Sequence, residues 1–453
     1  MQVAWRGSHL GARLIRSTGW VAIGYAASQA IRLFSNLILT RILFPEAFGL
    51  MALITVFLVG LNMLSDIGVS PSIQQSNRGD DPEFINTAWT LQVIRGVALW
   101  IASCVISVWA AWFYSEPQLQ TMLPVAGLAL LIAGFDPTRI LTASRHLTLG
   151  RVTLLTLVCQ VLSLIVMLIL AYVTRSVWAL VLGGVFAAIT RLVIMTFLLP
   201  GPHNRFLWSP EAAREIITFG KWIFLSTLCG FLLAQGDKAI LGKYLTLEAL
   251  GIYNVGYFLA SFPQLMAATI MSQVMIPLHR ERPPGQSAEN FASIRKIRFT
   301  LTFLVLGMQF VLAFSGIWLV ELLYDDNFVA AGGIVVIIAC MNFPYLIGMT
   351  YEYAALSRGD SRAFFALLLF KAVTQTGLFI LGMELHGLIG ALCGLWLAQV
   401  LAHPVVIWLA HRHKAWDPLH DVIFAVFGFA TAAFILSYHW VDLESLLSTA
   451  FLQ

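Results

Sequence analysis

Long apolar stretches separated by short polar breaks run along the whole chain. Most hold about 18 to 25 residues, enough for an α-helix to cross a hydrocarbon layer of ~30 Å. The pattern predicts membrane spans at residues 18–38, 47–69, 88–113, 119–135, 152–173, 177–199, 216–236, 249–276, 299–320, 331–350, 363–383, 387–409 and 421–440. We therefore expect an all-α polytopic membrane protein with thirteen spans.

A short motif occurs twice in this pattern. LTRILFPEAFGL begins at Leu39 and LGKYLTLEALGI begins at Leu241, and an ungapped alignment pairs Glu46 with Glu248. Both copies lie between the first and second spans of a six-span unit. An even number of spans gives both units the same orientation, so we expect two six-helix lobes related by an axis along the membrane normal. The two glutamates are expected at helix N-termini, where a negative charge complements the macrodipole.

The repeat sets the expected domain boundaries. We expect a cytoplasmic N-terminal segment at residues 1–17, an N-terminal lobe at 18–205, a C-terminal lobe at 206–410 and an extra helix with a tail at 411–453. A looser echo, the proline in FDPTRIL and in NFPYLIG, supports the pairing of the lobes. The loops are short, so none is expected to hold a soluble catalytic domain.

Composition agrees with a membrane protein. The chain is 59% hydrophobic and 11% charged, with a mean hydropathy of +0.83, whereas a soluble globular chain carries about 25% charged residues. The five cysteines lie inside predicted spans without a C-x-x-C pair, which indicates neither a metal site nor a disulfide framework. Nucleotide-binding and nucleophile motifs are absent from the sequence, so we predict no cofactor, no catalytic residue and no enzymatic activity.

The distribution of basic residues predicts the topology. If the N-terminus is cytoplasmic, most loop arginines and lysines fall on the cytoplasmic side, and the other side receives only Arg41, Arg175, Lys238 and Lys243. This strong positive-inside bias predicts a cytoplasmic N-terminus. It also explains the basic loops by membrane insertion, so no nucleic-acid partner is predicted.

Four cations remain inside the predicted spans: Arg32, Arg95, Arg191 and Lys371. A charge near the bilayer centre costs about 2.5 to 3.5 kcal/mol, so each should face protein or water. Polar residues accompany them at helical spacing in two stripes, Tyr25, Gln29 and Asn36 around Arg32, and Asn254, Tyr257 and Gln264 in the eighth span. Such stripes predict a hydrated cavity between the halves; the alternative is that they hydrogen-bond neighbouring helices as packing contacts.

The sign of this cavity points to its ligand. Acidic residues in or beside the spans are few, with Asp66 and Glu352 the main candidates for ion coupling. A cationic site attracts a polyanion, and a guanidinium matches phosphate oxygens, so a phosphate-bearing substrate is predicted. The alternative for Arg191 and Lys371 is that they snorkel or pair with a carboxylate such as Glu352.

Several segments resemble a known family. The runs LILTRILFPEAFGLMAL from Leu37 and LSDIGVSPSIQQ from Leu64, followed by a span with Arg95, resemble the polysaccharide transporter branch of the multidrug, oligosaccharidyl-lipid and polysaccharide exporter superfamily. The segment DKAILGKYLTLEALGIYNVGYFLA resembles that family's junction of spans seven and eight. The likeness extends over residues 10–410 and is strongest to flippases of the Wzx or WzxC type. Many relatives have twelve or fourteen spans, whereas thirteen are predicted here, so beyond the two lobes we expect one extra C-terminal helix or a hairpin of two.

The resemblance implies two rocking lobes that carry an undecaprenyl-diphosphate-linked oligosaccharide across the bacterial inner membrane for exopolysaccharide, capsule or O-antigen synthesis. It implies a cationic cavity, a role that transfers to Arg32 and Arg95 and then to Lys238 and Lys371, and a coupling ion, H⁺ or Na⁺. The implied partners are the polyprenyl diphosphate carrier, membrane lipids, and the polysaccharide polymerase and export machinery.

Two other functions fit parts of the pattern. A cation-coupled multidrug exporter of the same superfamily would have the same architecture, but its cavity should hold acidic and aromatic groups instead of an excess of arginine and lysine. A membrane-bound polysaccharide polymerase or ligase would act on the same lipid, but it would need a large outer loop to hold its sugars. The flippase is the function that the sequence favours.

Overall fold

Helices form all the regular structure in the part of the chain that the computed structural model describes, residues 10–66, 68–146, 148–357 and 360–444. The N-terminal half contains α1 (Leu10–Thr40), α2 (Pro45–Leu64), α3 (Val69–Gln75), α4 (Pro82–Tyr114), α5 (Gln118–Gly134), α6 (Arg139–Arg145), α7 (Leu149–Thr174) and α8 (Trp178–Leu198). The C-terminal half contains α9 (Pro210–Tyr244), α10 (Leu247–Ala260), α11 (Phe262–Glu281), α12 (Ala288–Leu323), a 3₁₀ turn (Asp326–Phe328), α13 (Ala331–Met341), α14 (Phe343–Ser357), α15 (Ser361–Arg412) and α16 (Pro418–Tyr438).

The chain divides into two compact units. Unit 1 ends at Phe231 and unit 2 begins at Leu232, so the division falls inside α9. The lobe boundary between residues 205 and 206 therefore stays a prediction from the repeat. The start of the predicted N-terminal segment, residues 1–9, and the end of the tail, residues 445–453, lie outside the described residues.

Each predicted membrane span coincides with helical structure. Among the described residues, seven helices are individually long and apolar enough to cross a membrane, and two bent helix pairs bring the number to nine. One of the seven, α15, covers the two predicted spans 363–383 and 387–409. The other predicted spans fall on α1, α9, α10 and α11, which are more polar or shorter. The predicted all-α polytopic fold is confirmed.

The two copies of the repeated motif adopt the same local structure. In each, a long helix ends, a short turn follows, and the next helix begins, at Pro45 in the first copy and at Leu247 in the second. Glu46 and Glu248 lie in the first turns of those helices. The expectation that both glutamates face a helix N-terminus is confirmed.

A bent helix pair also occurs in each unit. In unit 1, α5 and α6 meet at 59° across a break that contains Pro137, and in unit 2, the pair that ends with α14 is bent by 48° next to Pro344. Proline lacks a backbone N–H and cannot continue the preceding helix, which explains both breaks. The prolines that suggested the internal repeat therefore mark the same structural feature twice.

The helix α15 is a tight hairpin. His386 and Gly387 have non-helical backbone angles, and Gly387 has a φ of +59°, a conformation that glycine adopts without strain. Beyond this bend the two arms touch through backbone atoms. A Cβ placed on Gly382 would lie 2.0 Å from the Gly390 carbonyl oxygen. A Cβ placed on Gly394 would likewise lie 2.1 Å from the Leu378 carbonyl oxygen. Gly390 and Gly394, a pair of small residues one turn apart, thus allow the two arms to approach closely.

Polar contacts attach the first turn of α16 to the rest of unit 2. The Tyr351 hydroxyl donates to Asp421 Oδ1 at 2.7 Å, and Trp416 Nε1 donates to Asp421 Oδ2 at 3.0 Å. His420 is fully buried with its Nε2 2.9 Å from Thr302 Oγ1. Because buried polar groups must be hydrogen-bonded, this network supplies partners that water cannot provide there.

Packing in the α15 hairpin can be tested with two glycines of one arm. Gly382→Ala should destabilise the protein, because overpacking costs about 1 to 3 kcal/mol and the obstacle here is backbone. Gly377 has nothing within 4 Å of an added Cβ, so Gly377→Ala should be neutral or should stabilise by about 0.5 to 1 kcal/mol. Relative to the wild type in detergent, the apparent melting temperature should fall in Gly382→Ala and should stay the same or rise in Gly377→Ala. Equal shifts in the two variants would contradict the close contact.

Candidate functional site

The Arg32 stripe on α1 is the first candidate site. Gln29 lies at its centre, 5% exposed, where its Nε2 donates to the Tyr25 hydroxyl at 3.0 Å. Arg32 Nη1 donates to Gln29 Oε1 at 3.3 Å, and the Arg32 side chain is exposed. Asn36 continues the stripe one turn later and is half-buried. The predicted spacing therefore produces a row of polar groups in which hydrogen bonds connect Tyr25, Gln29 and Arg32.

Another face of α1 packs within unit 1. The backbone carbonyl of Ser28 accepts a hydrogen bond from Gln160 Nε2 of α7 at 3.1 Å. A Cβ placed on Gly24 would collide with Thr153 of α7, so the two helices are close there. Contacts with α7 thus fix the helix that carries the stripe.

Arg95 belongs to α4, and its side chain contacts the C-terminal end of α2. Its Nε donates to Ser65 Oγ at 3.0 Å, and its Nη2 donates to the backbone carbonyl and to Oδ1 of Asn62. The last carbonyls of a helix have no intrahelical partner and carry partial negative charge, so a guanidinium stabilises them. Asp66 Oδ1 accepts from the Gly68 N–H at 2.9 Å just beyond. Arg95 is thus engaged with protein, and its predicted role toward substrate stays a prediction.

Arg191 has a carboxylate partner. Its Nε lies 3.0 Å from Asp136 Oδ2, and Asp136 belongs to the bend between α5 and α6. The Asp136 side chain is 14% exposed, against 50% for Arg191. The pairing that was weighed for Arg191 is therefore present, with a carboxylate that the sequence analysis did not single out.

Another candidate site is the ion pair between Lys371 and Glu352 in unit 2. Lys371 Nζ donates to Glu352 Oε1, and the two side chains are 12% and 14% exposed. The ammonium also lies 5.3 Å from the centroid of the Tyr345 ring. The pairing of Lys371 with Glu352 named from the sequence is confirmed, and it brings a predicted binding residue together with a predicted coupling residue.

A second cation of unit 2, Lys238, lies near the end of α9. Its Nζ is 4.8 Å from the centroid of the Tyr257 ring, within the range of a cation–π contact. Asp237, its neighbour in the chain, is 7% exposed and accepts a hydrogen bond from the Tyr253 hydroxyl at 2.7 Å. The predicted outer loop is helical here, since α9 continues to Tyr244.

The polar stripe of the eighth span is divided by a helix break. Asn254 and Tyr257 belong to α10, whereas Gln264 lies in α11 beyond Ser261 and is close to the Tyr345 side chain. Gln264 and Lys371 therefore share Tyr345 as a neighbour. Tyr253, Tyr345, Asp136 and Asp237 were missed in the sequence because an isolated tyrosine or a loop aspartate carries no periodic signal.

Charged contacts also hold the short helices α3 and α6 of unit 1 together. Arg145 lies 3.1 Å from Asp80 Oδ2, and its Nη1 donates to the backbone carbonyls of Ile73 and Ser76 at the end of α3. The hydrogen bond from His146 lowers the pKa of the Asp80 carboxyl below its ordinary value. These contacts attach α6 to α3 and leave the arginine engaged.

A family model described as "Polysaccharide biosynthesis protein" matches residues 38–331, more than half of the chain. The chain belongs to this family. Three curated members of the wider group are similar to it: TuaB of Bacillus subtilis, a teichuronic acid biosynthesis protein, ExoT of Rhizobium meliloti, a succinoglycan biosynthesis transport protein, and WzxC of Escherichia coli, a lipopolysaccharide biosynthesis protein. The resemblance inferred from the residues is confirmed.

These relatives are distant. The identity to TuaB is 22% over 54% of this chain, which spans about half (51%) of TuaB. The identity to ExoT is 21%, covering 88% of this chain and 80% of ExoT, and that to WzxC is 18%, covering 86% and 79%. The names of all three relatives refer to the biosynthesis of a polysaccharide or lipopolysaccharide, and each name refers to a different product.

Solved transporter structures have the same fold. The lipid II flippase MurJ in an inward closed conformation matches 93% of this chain and 99% of its own with a TM-score of 0.66 at 12% identity. An outward-facing MATE family transporter of the MOP superfamily matches 91% and 98% with a TM-score of 0.56 at 17% identity. The two-lobe helical transporter fold expected for this family member is confirmed.

The ion pair between Lys371 and Glu352 can be tested by comparing the stabilities of single and double variants. Lys371→Met or Glu352→Gln alone leaves one partner without its counter-charge at a mostly buried position, which costs about 3 kcal/mol or more for a lone charge. The double variant removes both charges and should recover most of the lost melting temperature in detergent. Additive losses in the double variant would contradict a coupled pair.

Proposed function

We propose that this protein is a flippase that moves a polyprenyl-diphosphate-linked oligosaccharide across the membrane by alternating access, without covalent chemistry. The Arg32 stripe carries the proposal, because it joins an exposed guanidinium to neutral hydrogen-bonding groups on one helix face. Membership in a polysaccharide biosynthesis family supports the pathway, and the transporter fold supports translocation. We place the protein in the bacterial inner membrane with its N-terminus in the cytoplasm.

The stripe suits both parts of such a headgroup. A guanidinium presents N–H donors in a planar fork that matches phosphate oxygens, so Arg32 is assigned to the diphosphate. Tyr25, Gln29 and Asn36 offer neutral donors and acceptors, which suit sugar hydroxyls. A soluble sugar acid would use the same cation, and the lipid carrier is therefore the part of this proposal that needs direct measurement.

Unit 2 is assigned a supporting role. Lys238 of α9 lies over the ring of Tyr257 of α10, and Asn254 is one turn before Tyr257 on α10. A cation, an aromatic face and an amide are therefore found on two consecutive helices. We assign these groups, with Gln264, to the sugar and phosphate of the headgroup. Arg95 is assigned an indirect role, because it stabilises the end of α2 through Asn62 and Ser65.

We propose that the Lys371–Glu352 pair couples transport to an ion. An anionic substrate competes with Glu352 for the ammonium, and protonation of Glu352 releases the same ammonium, so either event disrupts one contact. Asp66 is the second candidate, at the turn after α2. In proteoliposomes, Glu352→Gln should abolish the response of transport to an imposed pH gradient; a response equal to that of the wild type would exclude Glu352 from coupling.

One observation favours a second function, cation-coupled export of small organic cations. Asp237 and Glu352 lie near the tyrosines of unit 2, a combination of carboxylates and aromatic rings that suits a cationic ligand. Each carboxylate already has a partner, Tyr253 for Asp237 and Lys371 for Glu352. The flippase therefore remains the better supported function.

The flippase proposal predicts a specific defect in Arg32→Ala. In a strain that depends on this protein, polymer should fall at least about tenfold, since a hydrogen bond to a charged group contributes about 1.5 to 3 kcal/mol. Lipid-linked repeat units should accumulate on the inner leaflet, and Arg32→Lys should keep part of the activity. Arg362→Ala removes an exposed cation of α15 and is the control. Normal polymer in Arg32→Ala at wild-type protein level would contradict the proposal.

A further inference from the structure

In the segment between α8 and α9, residues 199–209, side chains of a neighbouring helix accept the backbone hydrogen bonds. The segment is neither helix nor strand, and every second N–H near its end donates to a side chain of α4. The donors Arg205, Leu207 and Ser209 bind Asn86 Oδ1 at 2.9 Å, Thr90 Oγ1 at 3.1 Å and Thr87 Oγ1 at 3.1 Å, respectively. We call residues 199–209 the strap.

The beginning of the strap is held by a second set of contacts. Arg139 Nη1 donates to the Leu199 carbonyl, and its Nη2 lies 3.1 Å from His203 Nδ1. Asn204 accepts from the Thr138 N–H at 3.1 Å and donates to the Thr138 hydroxyl at 2.7 Å. The strap is thus fixed along its length to α4 and to the start of α6, unlike a flexible linker.

This fixed backbone leaves large apolar side chains uncovered. Phe206 is 68% exposed, Trp208 is 53% exposed and Leu207 is 39% exposed. Phe206 touches Trp89 of α4 on one side, with ring centroids 4.8 Å apart, and the rest of its surface is open. An apolar patch on a rigid segment indicates a partner outside the unit, because folding has not covered it.

The position of the strap identifies that partner. It follows Phe197 and Leu198, the last residues of a membrane-spanning helix, which are 77% and 50% exposed as lipid-facing residues are. Its anchors on α4 lie where the predicted span beginning at residue 88 enters the membrane. Tryptophan is typical of the membrane interface, and segments that lie there combine tryptophan and phenylalanine with arginine, which meets lipid phosphate.

Charge agrees with a lipid surface. Arg205 is an exposed cation that precedes Phe206 in the chain. The exposed Arg151 donates to the Leu198 carbonyl at the end of α8. This side of the protein is also the one that the positive-inside bias assigns to the anionic cytoplasmic leaflet. Basic and aromatic residues are thus combined on one segment.

We propose that the strap is an interfacial anchor: Phe206 and Trp208 insert into the headgroup layer of an anionic leaflet, and Arg205 contacts lipid phosphate. The anchor fixes the chain immediately before α9, the helix that leads from unit 1 into unit 2. This inference does not depend on the substrate, so it stands or fails separately from the flippase assignment.

Spin labels can measure the insertion directly. Phe206→Cys and Trp208→Cys are made in a background whose five native cysteines are replaced, and the labelled proteins are reconstituted in vesicles of phosphatidylethanolamine and phosphatidylglycerol. Glu211→Cys, in the first turn of α9 with a side chain 87% exposed, is the aqueous control. Collision with a water-soluble nickel chelate should be several-fold lower at positions 206 and 208 than at 211, and collision with oxygen should be higher.

Equal nickel accessibility at positions 206, 208 and 211 in these vesicles would overturn the proposal. Protection that appears in native membranes but not in purified vesicles would also overturn it, in favour of a protein partner.

The role of Arg205 has its own test. Replacing phosphatidylglycerol by phosphatidylcholine should raise the nickel accessibility of position 208. The ratio of the accessibilities in the two lipid mixtures should be about fivefold smaller in Arg205→Gln than in the protein with Arg205. Melting temperatures verify that each variant is folded.

Discussion

A polar or charged group within a bilayer must find its partner inside the protein, because lipid offers none. This requirement explains most of the contacts described above. Arg95 stabilises the end of α2, Arg191 meets Asp136, and Lys371 meets Glu352. It also explains why the helix breaks carry polar residues. The cations that suggested a substrate site are thus divided into some that hold the fold together and others, above all Arg32, that remain exposed.

This division gives the two units different character. In unit 1, the stripe from Tyr25 to Arg32 presents neutral groups and a guanidinium, which are suited to bind an anion. In unit 2, Lys371 is held by the Glu352 carboxylate, the contact that we propose couples transport to an ion. We therefore propose that the main anion-binding group, Arg32, belongs to unit 1 and that the main coupling pair, Lys371 with Glu352, belongs to unit 2.

Periodicity and composition were sufficient to predict the fold, since span length and proline position follow from backbone hydrogen bonding in lipid. The repeated motif correctly located Glu46 and Glu248 in first helical turns. The partners of the cations were harder to predict. Only the pair of Lys371 with Glu352 was named in advance, because Asp136 and Asn62 are brought to their arginines by helix packing, which leaves no spacing signal in one sequence. The strap was missed for the same reason.

The central claim is that the transported molecule is a diphosphate-linked lipid. The most direct measurement uses purified protein in vesicles that contain a fluorescent polyprenyl-diphosphate oligosaccharide, whose arrival in the outer leaflet is detected by an impermeant quencher. The account predicts wild-type flipping well above that of empty vesicles, a large loss in Arg32→Ala, and no uptake of small cationic dyes. Movement of the dyes without movement of the lipid would contradict it and would favour the multidrug exporter.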